Sequence, residues 1–396
     1  MDLIEFRQQD QDFNKGKERA LSIRYETELL PDIKVVGVGG GGCNAVNRMV
    51  RAKIPGVTFV ACNTDAQALM SSEAPNRIRI GEKLTKGLGV GGDPARGERA
   101  ADESRDELHE LLRGTEMVFV TAGMGGGTGT GAAPVVAEIA KDCGALTIGV
   151  VTKPFAWEGS RRMKQAEEGI ARLRDKVDTL IAIPNSRLIE ICPPESTVDQ
   201  AFETADDVLR QAIQSISNII SQNGSINLDF NDVRTTMSEA GPALLAVGQA
   251  SGENRAVEAA RAATSSPLLD QSIEGAHNVL FNVTHNGNLQ LRELDMAARV
   301  IAEVVDPSAN IIFGTVVDPK AGDDIYMTVI ATGFSPKAQL LEDPRETVTR
   351  IGDMGLPGVS SAEDAELPAF LRRNIRSLNV LRPSSDEAVA KLAERR

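Results

Sequence analysis

The chain has 396 residues, 41% hydrophobic and 25% charged, with a formal net charge of −13. That length and balance suit two packed domains with tails, and the negative charge repels both the nucleic-acid backbone and anionic lipid, which excludes autonomous binding to either as a general property. Cys43, Cys62, Cys143 and Cys192 are widely spaced with no CxxC pair, and His109, His277 and His285 do not cluster with them, so neither a disulfide framework nor a zinc site is indicated.

Residues 1–30 are polar and charged without a sustained apolar period and read as an N-terminal arm. They lack a basic segment followed by an apolar core, and no apolar run reaches the roughly 20 residues that cross a bilayer, so a cytosolic chain without direct membrane insertion is expected. From residue 31, short apolar runs at 33–36, 57–61, 78–80, 117–120, 146–151 and 180–183 alternate with helical patterns. Such alternation predicts an α/β fold, a mainly parallel sheet covered by helices on both faces, over residues 31–201.

Phe202, Ala205, Val208, Leu209, Ala212, Ile213, Ile216, Ile219 and Ile220 recur at helical spacing and predict a long central helix over 202–222. Helical patterns at 257–263 and 291–304, mixed with strand candidates at 279–283, 311–317 and 326–331, predict a smaller α/β domain over 223–335. Residues 336–365 read as a linker, and 366–396 as a tail carrying an apolar and basic island, Leu367-Pro368-Ala369-Phe370-Leu371-Arg372-Arg373.

Gly125-Gly126-Gly127-Thr128-Gly129-Thr130-Gly131 lies between the strand at 117–120 and a helix expected at 132–141, with Pro134 in that helix's first turn. Strand, glycine loop and helix form an anion cradle: main-chain N–H groups converge on phosphate oxygens, the threonines add hydroxyls, and the helix N-terminus adds partial positive charge. A second glycine run, 37–42, follows a strand and precedes a helix expected at 44–51, satisfying GxGxxG, with Asp65 at the distance of a ribose-binding acid. An NAD-dependent oxidoreductase therefore stands as an alternative. Two phosphate-type loops in one domain suit a triphosphate gripped from both sides, and GxxxxGK[ST] does not occur.

GGGTGTG with the preceding Thr121-Ala122-Gly123-Met124 resembles the signature of the tubulin and FtsZ superfamily of GTPases. Further segments resemble the FtsZ family in order: Asn63-Thr64-Asp65-Ala66-Gln67-Ala68-Leu69, Gly87-Leu88-Gly89-Val90-Gly91-Gly92-Asp93-Pro94, and Thr152-Lys153-Pro154-Phe155-Ala156-Trp157-Glu158-Gly159. Gly241-Pro242-Ala243-Leu244, residues 250–256 and residues 265–269 extend the likeness, which runs from about residue 33 to residue 334.

The resemblance implies a tubulin-like fold, GTP as substrate and Mg²⁺ as its companion ion, without a dedicated protein ligand for the metal. By it, Gly39, Gly40, Gly41, Gly42 and Asn44, with Asp65 and with Gly123, Met124, Gly125, Gly126, Gly127, Thr128, Gly129 and Thr130, belong to the nucleotide site. Gly91 and Gly92 close over the terminal phosphate, and Glu158 and Arg162 contact ribose and phosphates. Asn185 and Asp206 meet guanine while Phe202 stacks on it. A carboxylate accepts two hydrogen bonds from the ring N–H and exocyclic amine of guanine, and adenine presents the wrong pattern. By themselves, Glu158 and Arg162 would read as solvated residues, Phe202 as core and Asp206 as an ion-pair partner of Arg210.

Asp229 and Asp232, three apart after the central helix, read on their own as a cap or a solvated turn. The resemblance implies that they, with Asn227, form a catalytic loop set against the nucleotide of a neighbouring subunit, where their carboxylates polarise the attacking water. Head-to-tail contacts of that kind generate open filaments, and the resemblance implies a dynamic homopolymer forming the ring at the division site beneath the inner membrane. Ser225 departs from the Leu usual in this loop. The island resembles the peptide that docks on membrane-tethering division proteins, with Pro368, Phe370, Leu371, Arg372 and Arg373 as contacts; a tail that binds nothing is the alternative. A non-hydrolysing filament subunit and a DNA-segregating tubulin-like filament protein also remain open.

Overall fold

The apolar runs of the first half become parallel strands. The computed structural model describes residues 31–193, 195–221, 229–269 and 271–334. Its strands are β1 Ile33–Val38, β2 Val57–Asn63, β3 Asn76–Arg79, β4 Met117–Gly123, β5 Leu146–Lys153, β6 Thr179–Pro184, β7 Gly241–Ala250, β8 Asn278–His285, β9 Asn310–Val317 and β10 Ile325–Thr332. Its helices are α1 Gly39–Ala52, α2 Ala66–Met70, α3 Glu82–Thr85, α4 Pro94–Glu103, α5 Arg105–Leu112, α6 Thr128–Asp142, α7 Ser160–Arg174, α8 Asn185–Ile191, α9 Val198–Ser221, α10 Phe230–Met237, α11 Arg255–Thr264 and α12 Leu291–Ala302. The N-terminal arm, Asn227, Ser225, the linker, and Pro368, Phe370, Leu371, Arg372 and Arg373 of the tail lie outside the described residues.

One sheet of ten strands runs in the order β3-β2-β1-β4-β5-β6-β7-β10-β8-β9. Every neighbouring pair is parallel except those of β10, which runs against β7 and β8. β1, β4 and β5 are nearly continuous apolar runs because helices cover both their faces. On one face α9 lays Val208, Leu209, Ala212, Ile213 and Ile216 against Phe119, Ile148 and Ile181; on the other, α6 packs Val136, Ile139 and Ala140 with Val118 and Val120. Burying each of these larger apolar side chains is worth about 1.5–3 kcal/mol on a transfer scale, which is what fixes α9 across the sheet. A third cluster joins α11 and α12 to β8 and β10.

Three elements differ from expectation. α1 starts at Gly39 instead of residue 44, so the glycine run is itself the helix N-terminus. α6 likewise starts at Thr128, which puts Pro134 inside the helix and not in its first turn, where it deprives the Thr130 carbonyl of its usual i+4 donor. β7 is an unexpected strand, joined to β6 through the pairs Thr179↔Gly241, Leu180↔Pro242 and Ile181↔Ala243. Among the described residues no helix is long and apolar enough to cross a membrane.

Candidate functional site

Where the strand order of a parallel sheet reverses, the crevice beyond the carboxyl ends of the flanking strands is open to a ligand. Here those strands are β1 and β4. β1 passes directly into α1, placing Gly39, Gly40, Gly41, Gly42 and Asn44 in its first turns. β4 ends at Gly123; Met124, Gly125, Gly126 and Gly127 then lead to Thr128, Gly129 and Thr130 at the start of α6. The two loops touch: a Cβ on Gly39, whose φ is +73°, would lie 2.7 Å from the Gly129 nitrogen, and one on Gly41 would lie 3.3 Å from the Gly123 Cα. At Gly40 and Gly126, by contrast, no atom lies within 4 Å of a would-be Cβ. Open space beside two helix N-termini is what an anionic phosphate chain fits.

Gly91 and Gly92 are exposed and border the same loop, for a Cβ on Gly127 would meet the Asp93 nitrogen at 2.9 Å and the Gly92 carbonyl carbon at 3.0 Å. Two hydroxyl contacts brace the loops. Thr64 Oγ1 and Thr128 Oγ1 are 2.8 Å apart, and the Gly125 N–H donates to Thr130 Oγ1 at 2.8 Å. Met124 turns its side chain into the core and donates its N–H to the Thr152 carbonyl at 2.9 Å, which leaves it no donor for a phosphate. Asp65 caps α2, its Oδ1 accepting from the Gln67 N–H at 2.8 Å and the Ala68 N–H at 3.4 Å.

After β5, Glu158 accepts the Phe155 N–H at 2.8 Å and pairs with Arg162 at 2.9 Å; its side chain is 5% exposed, that of Arg162 51%. A Cβ on Gly125 would meet the Arg162 Cγ at 2.7 Å, so this pair abuts the glycine loop. Glu158 is an inward anchor, not the solvated carboxylate it resembles in isolation. Asn185 opens α8 directly beyond β6; it is buried, and its Oδ1 has no hydrogen-bond partner. An orphaned buried acceptor costs about 1–3 kcal/mol, a cost that a donor from a bound base would relieve.

Phe202 and Asp206 sit one turn apart near the start of α9. The half-exposed Phe202 ring stands edge-on to Phe155 at 5.4 Å and to Trp157 at 6.1 Å, while Phe155 and Trp157 stack at 5.3 Å. Burial pushes the Asp206 carboxyl up to about 7, against the pull of Arg48 and with a further push from Glu203 and Asp207. Arg48 of α1 reaches both Glu203, at 3.2 Å, and Asp206, at 3.7 Å. Arg210 pairs with Asp207 at 2.7 Å, so Asp206 is not its partner. Sequence reasoning passed over Arg48 and gave Trp157 and Thr64, though inside matching segments, no role of their own. The available signal for Arg48 was its position four residues after Asn44, on the same face of the helix.

The acids after the central helix lie elsewhere. Asp229 caps α10, accepting the Asn231 N–H at 3.2 Å, and Asp232 occupies its first turn; both are exposed. Thr179 Oγ1 at the start of β6 donates to the Met237 carbonyl at 2.5 Å, and Arg234 donates to the Gly144 carbonyl, just before β5, at 3.4 Å. α10 therefore sits at the amino ends of β5 and β6, whose carboxyl ends lead to Glu158 and Asn185. The eight residues of β5 span roughly 25 Å. Within one subunit the glycine loops and the two acids cannot meet.

Comparison with known proteins matches residues 32–193 to the Tubulin/FtsZ family GTPase domain and residues 241–335 to the FtsZ family C-terminal domain. The chain is similar to an FtsZ dimer from M. jannaschii, with 43% identity and a TM-score of 0.76 over 80% of this chain and 92% of that one. A point mutant of M. jannaschii FtsZ matches with 43% identity and a TM-score of 0.75 over 80% and 96%. CetZ1 from Haloferax volcanii, a GDP-bound monomer, shares the fold at 22% identity and a TM-score of 0.67 over 81% and 100%. With two glycine loops at the strand reversal and 43% identity sustained over 80% of its length, the chain belongs to the Tubulin/FtsZ family of GTPases.

Proposed function

We propose that this GTPase polymerises head to tail into the filament of the division ring, and that each GTP site is completed by Asp229 and Asp232, with Asn227, from the next subunit. The observation carrying this reading is the separation of the two halves of the chemistry. Glycine loops, Asn185, Phe202 and Asp206 gather at the carboxyl ends of the strands, whereas the exposed acids project at the amino ends. Stacking one subunit on another brings the two ends together, and the M. jannaschii FtsZ is described as a dimer.

In that arrangement the first turns of α1 and α6 hold the phosphates through main-chain N–H groups, and Gly91 and Gly92 lie over the terminal phosphate. The neighbour's carboxylates orient a water for in-line attack and accept its proton as the terminal phosphoryl leaves. Among the described residues no cluster of three or more His, Cys, Asp or Glu side chains is poised to hold a metal. Mg²⁺ would be held chiefly by the phosphates and water, as is usual for this ion, and would supply charge neutralisation on the transferring group. Loss of the terminal phosphate weakens the contact that GTP supports, so hydrolysis and filament turnover form one cycle. Through Pro368, Phe370, Leu371, Arg372 and Arg373 the tail links the filament to membrane-tethering division proteins.

Mixing two defective chains tests the shared site. Asp232→Ala keeps the loops and loses the acid; Gly129→Ala keeps the acid and loses the loops. Their mixture should hydrolyse GTP where neither does by itself, and an inactive mixture that still co-assembles would rule the shared site out.

A further inference from the structure

We propose that Arg48 is a positioning residue for guanine recognition: it holds the Asp206 carboxyl in the ionised form that accepts two hydrogen bonds, and Glu203 competes for it. The inference rests on the nucleotide reading of the site. An ionised carboxylate can accept from both the ring N–H and the exocyclic amine of guanine. Once protonated it turns a donor toward one of those groups and loses the match.

The surroundings of Asp206 place it at a balance point. Its side chain is 19% exposed, and burial favours the neutral acid. The charged groups acting on it are Glu203 and Asp207 from its own helix and Arg48 from α1; Arg48 alone of these favours ionisation. Arg210, the cation one turn along the same helix, is engaged with Asp207 at 2.7 Å. Arg48 is shared, closer to Glu203 than to Asp206, and borders a cavity of about 560 Å³ that Glu203 and Asp207 also line. The planar fork of Arg48 stays charged at any relevant pH, which suits it to the task of fixing a neighbour's protonation state.

The test is the affinity of the full chain for GDP between pH 5.5 and 8.5, at protein concentrations too low for assembly. Titration of the nucleotide's own phosphate is common to all variants and cancels in the comparison. In the parent chain affinity should fall as pH drops through about 7, approaching about tenfold per pH unit. Arg48→Gln should move this fall to higher pH, leaving binding about fivefold weaker at pH 7 for a midpoint raised by about one pH unit, and Arg48→Lys should restore it. Glu203→Gln should move the fall to lower pH, so a second variant of opposite sign stands if Arg48→Gln fails to fold. An Arg48→Gln profile lowered uniformly with an unmoved midpoint, or no downward shift in Glu203→Gln, would overturn the inference while a preference for GDP over ADP persists. Equal binding of ADP and GDP by the parent chain at every pH would instead overturn the guanine site itself.

Discussion

Gly39 and Gly129 bring the two phosphate loops into contact through bare backbone, with a would-be Cβ on Gly39 only 2.7 Å from the Gly129 nitrogen. A Cβ on Gly129 would in turn meet the Gly123 carbonyl oxygen at 2.8 Å, at the very end of β4. Gly129→Ala must push the first turn of α6 off the Gly123 and Val38 carbonyls at the ends of β4 and β1 and, with the phosphates held by the helix N-termini as proposed, should lower GTP affinity at least about tenfold. Gly39→Ala adds a left-handed φ and should cost about 1–3 kcal/mol of stability. Nucleotide titration and chemical denaturation check the two effects separately.

In the proposed guanine site, Asp206 trades stability for recognition. Its folded-state carboxyl is raised from 3.8 to about 7, so the protection it gives the fold is complete below pH 3.8 and is lost as pH rises through about 7. Asp206→Asn should therefore melt at a higher temperature than the parent at pH 8 without nucleotide, with the gain vanishing near pH 3.5. The same variant should bind GTP at least about tenfold more weakly, because an amide oxygen cannot match two guanine donors and its NH₂ opposes them. Thermal melting with and without GDP measures both signs.

Asp232 is exposed in the first turn of α10, so Asp232→Ala should change stability by less than about 1 kcal/mol. GTP binding should persist while turnover disappears. A parallel loss of nucleotide affinity would contradict a role exerted on the neighbour's nucleotide.

Removing residues 366–396 should leave GTP-dependent assembly, followed by light scattering, at parental levels and abolish recruitment to membrane-tethering partners. Assembly that fails outright would mean the tail belongs to the polymerising body.

Much of the fold was legible because parallel strands buried on both faces must be apolar throughout: Val35, Phe119 and Ile148 mark β1, β4 and β5. α9 was legible for the complementary reason, a long helix whose apolar stripe spans the sheet. β7 was not. It begins Gly241-Pro242 and continues with alanine and leucine, residues without strand preference, and takes its form from β6 and β10 on either side. The phosphate loops could be read from sequence because their chemistry resides in the backbone, which glycine announces. The base side could be read only by resemblance, since the pairing of Arg48 with Asp206 and of Arg210 with Asp207 depends on how α9 is rotated against α1. Neighbouring acids in one helix carry no mark of that rotation.

The most direct test of the shared site is GTP hydrolysis per subunit, with Mg²⁺, measured across a wide range of protein concentration. The account predicts negligible turnover below a threshold and a rise to constant specific activity above it, because Asp229 and Asp232 reach a nucleotide only across a subunit contact. Constant specific activity down to the lowest concentration would show a self-contained site and contradict it.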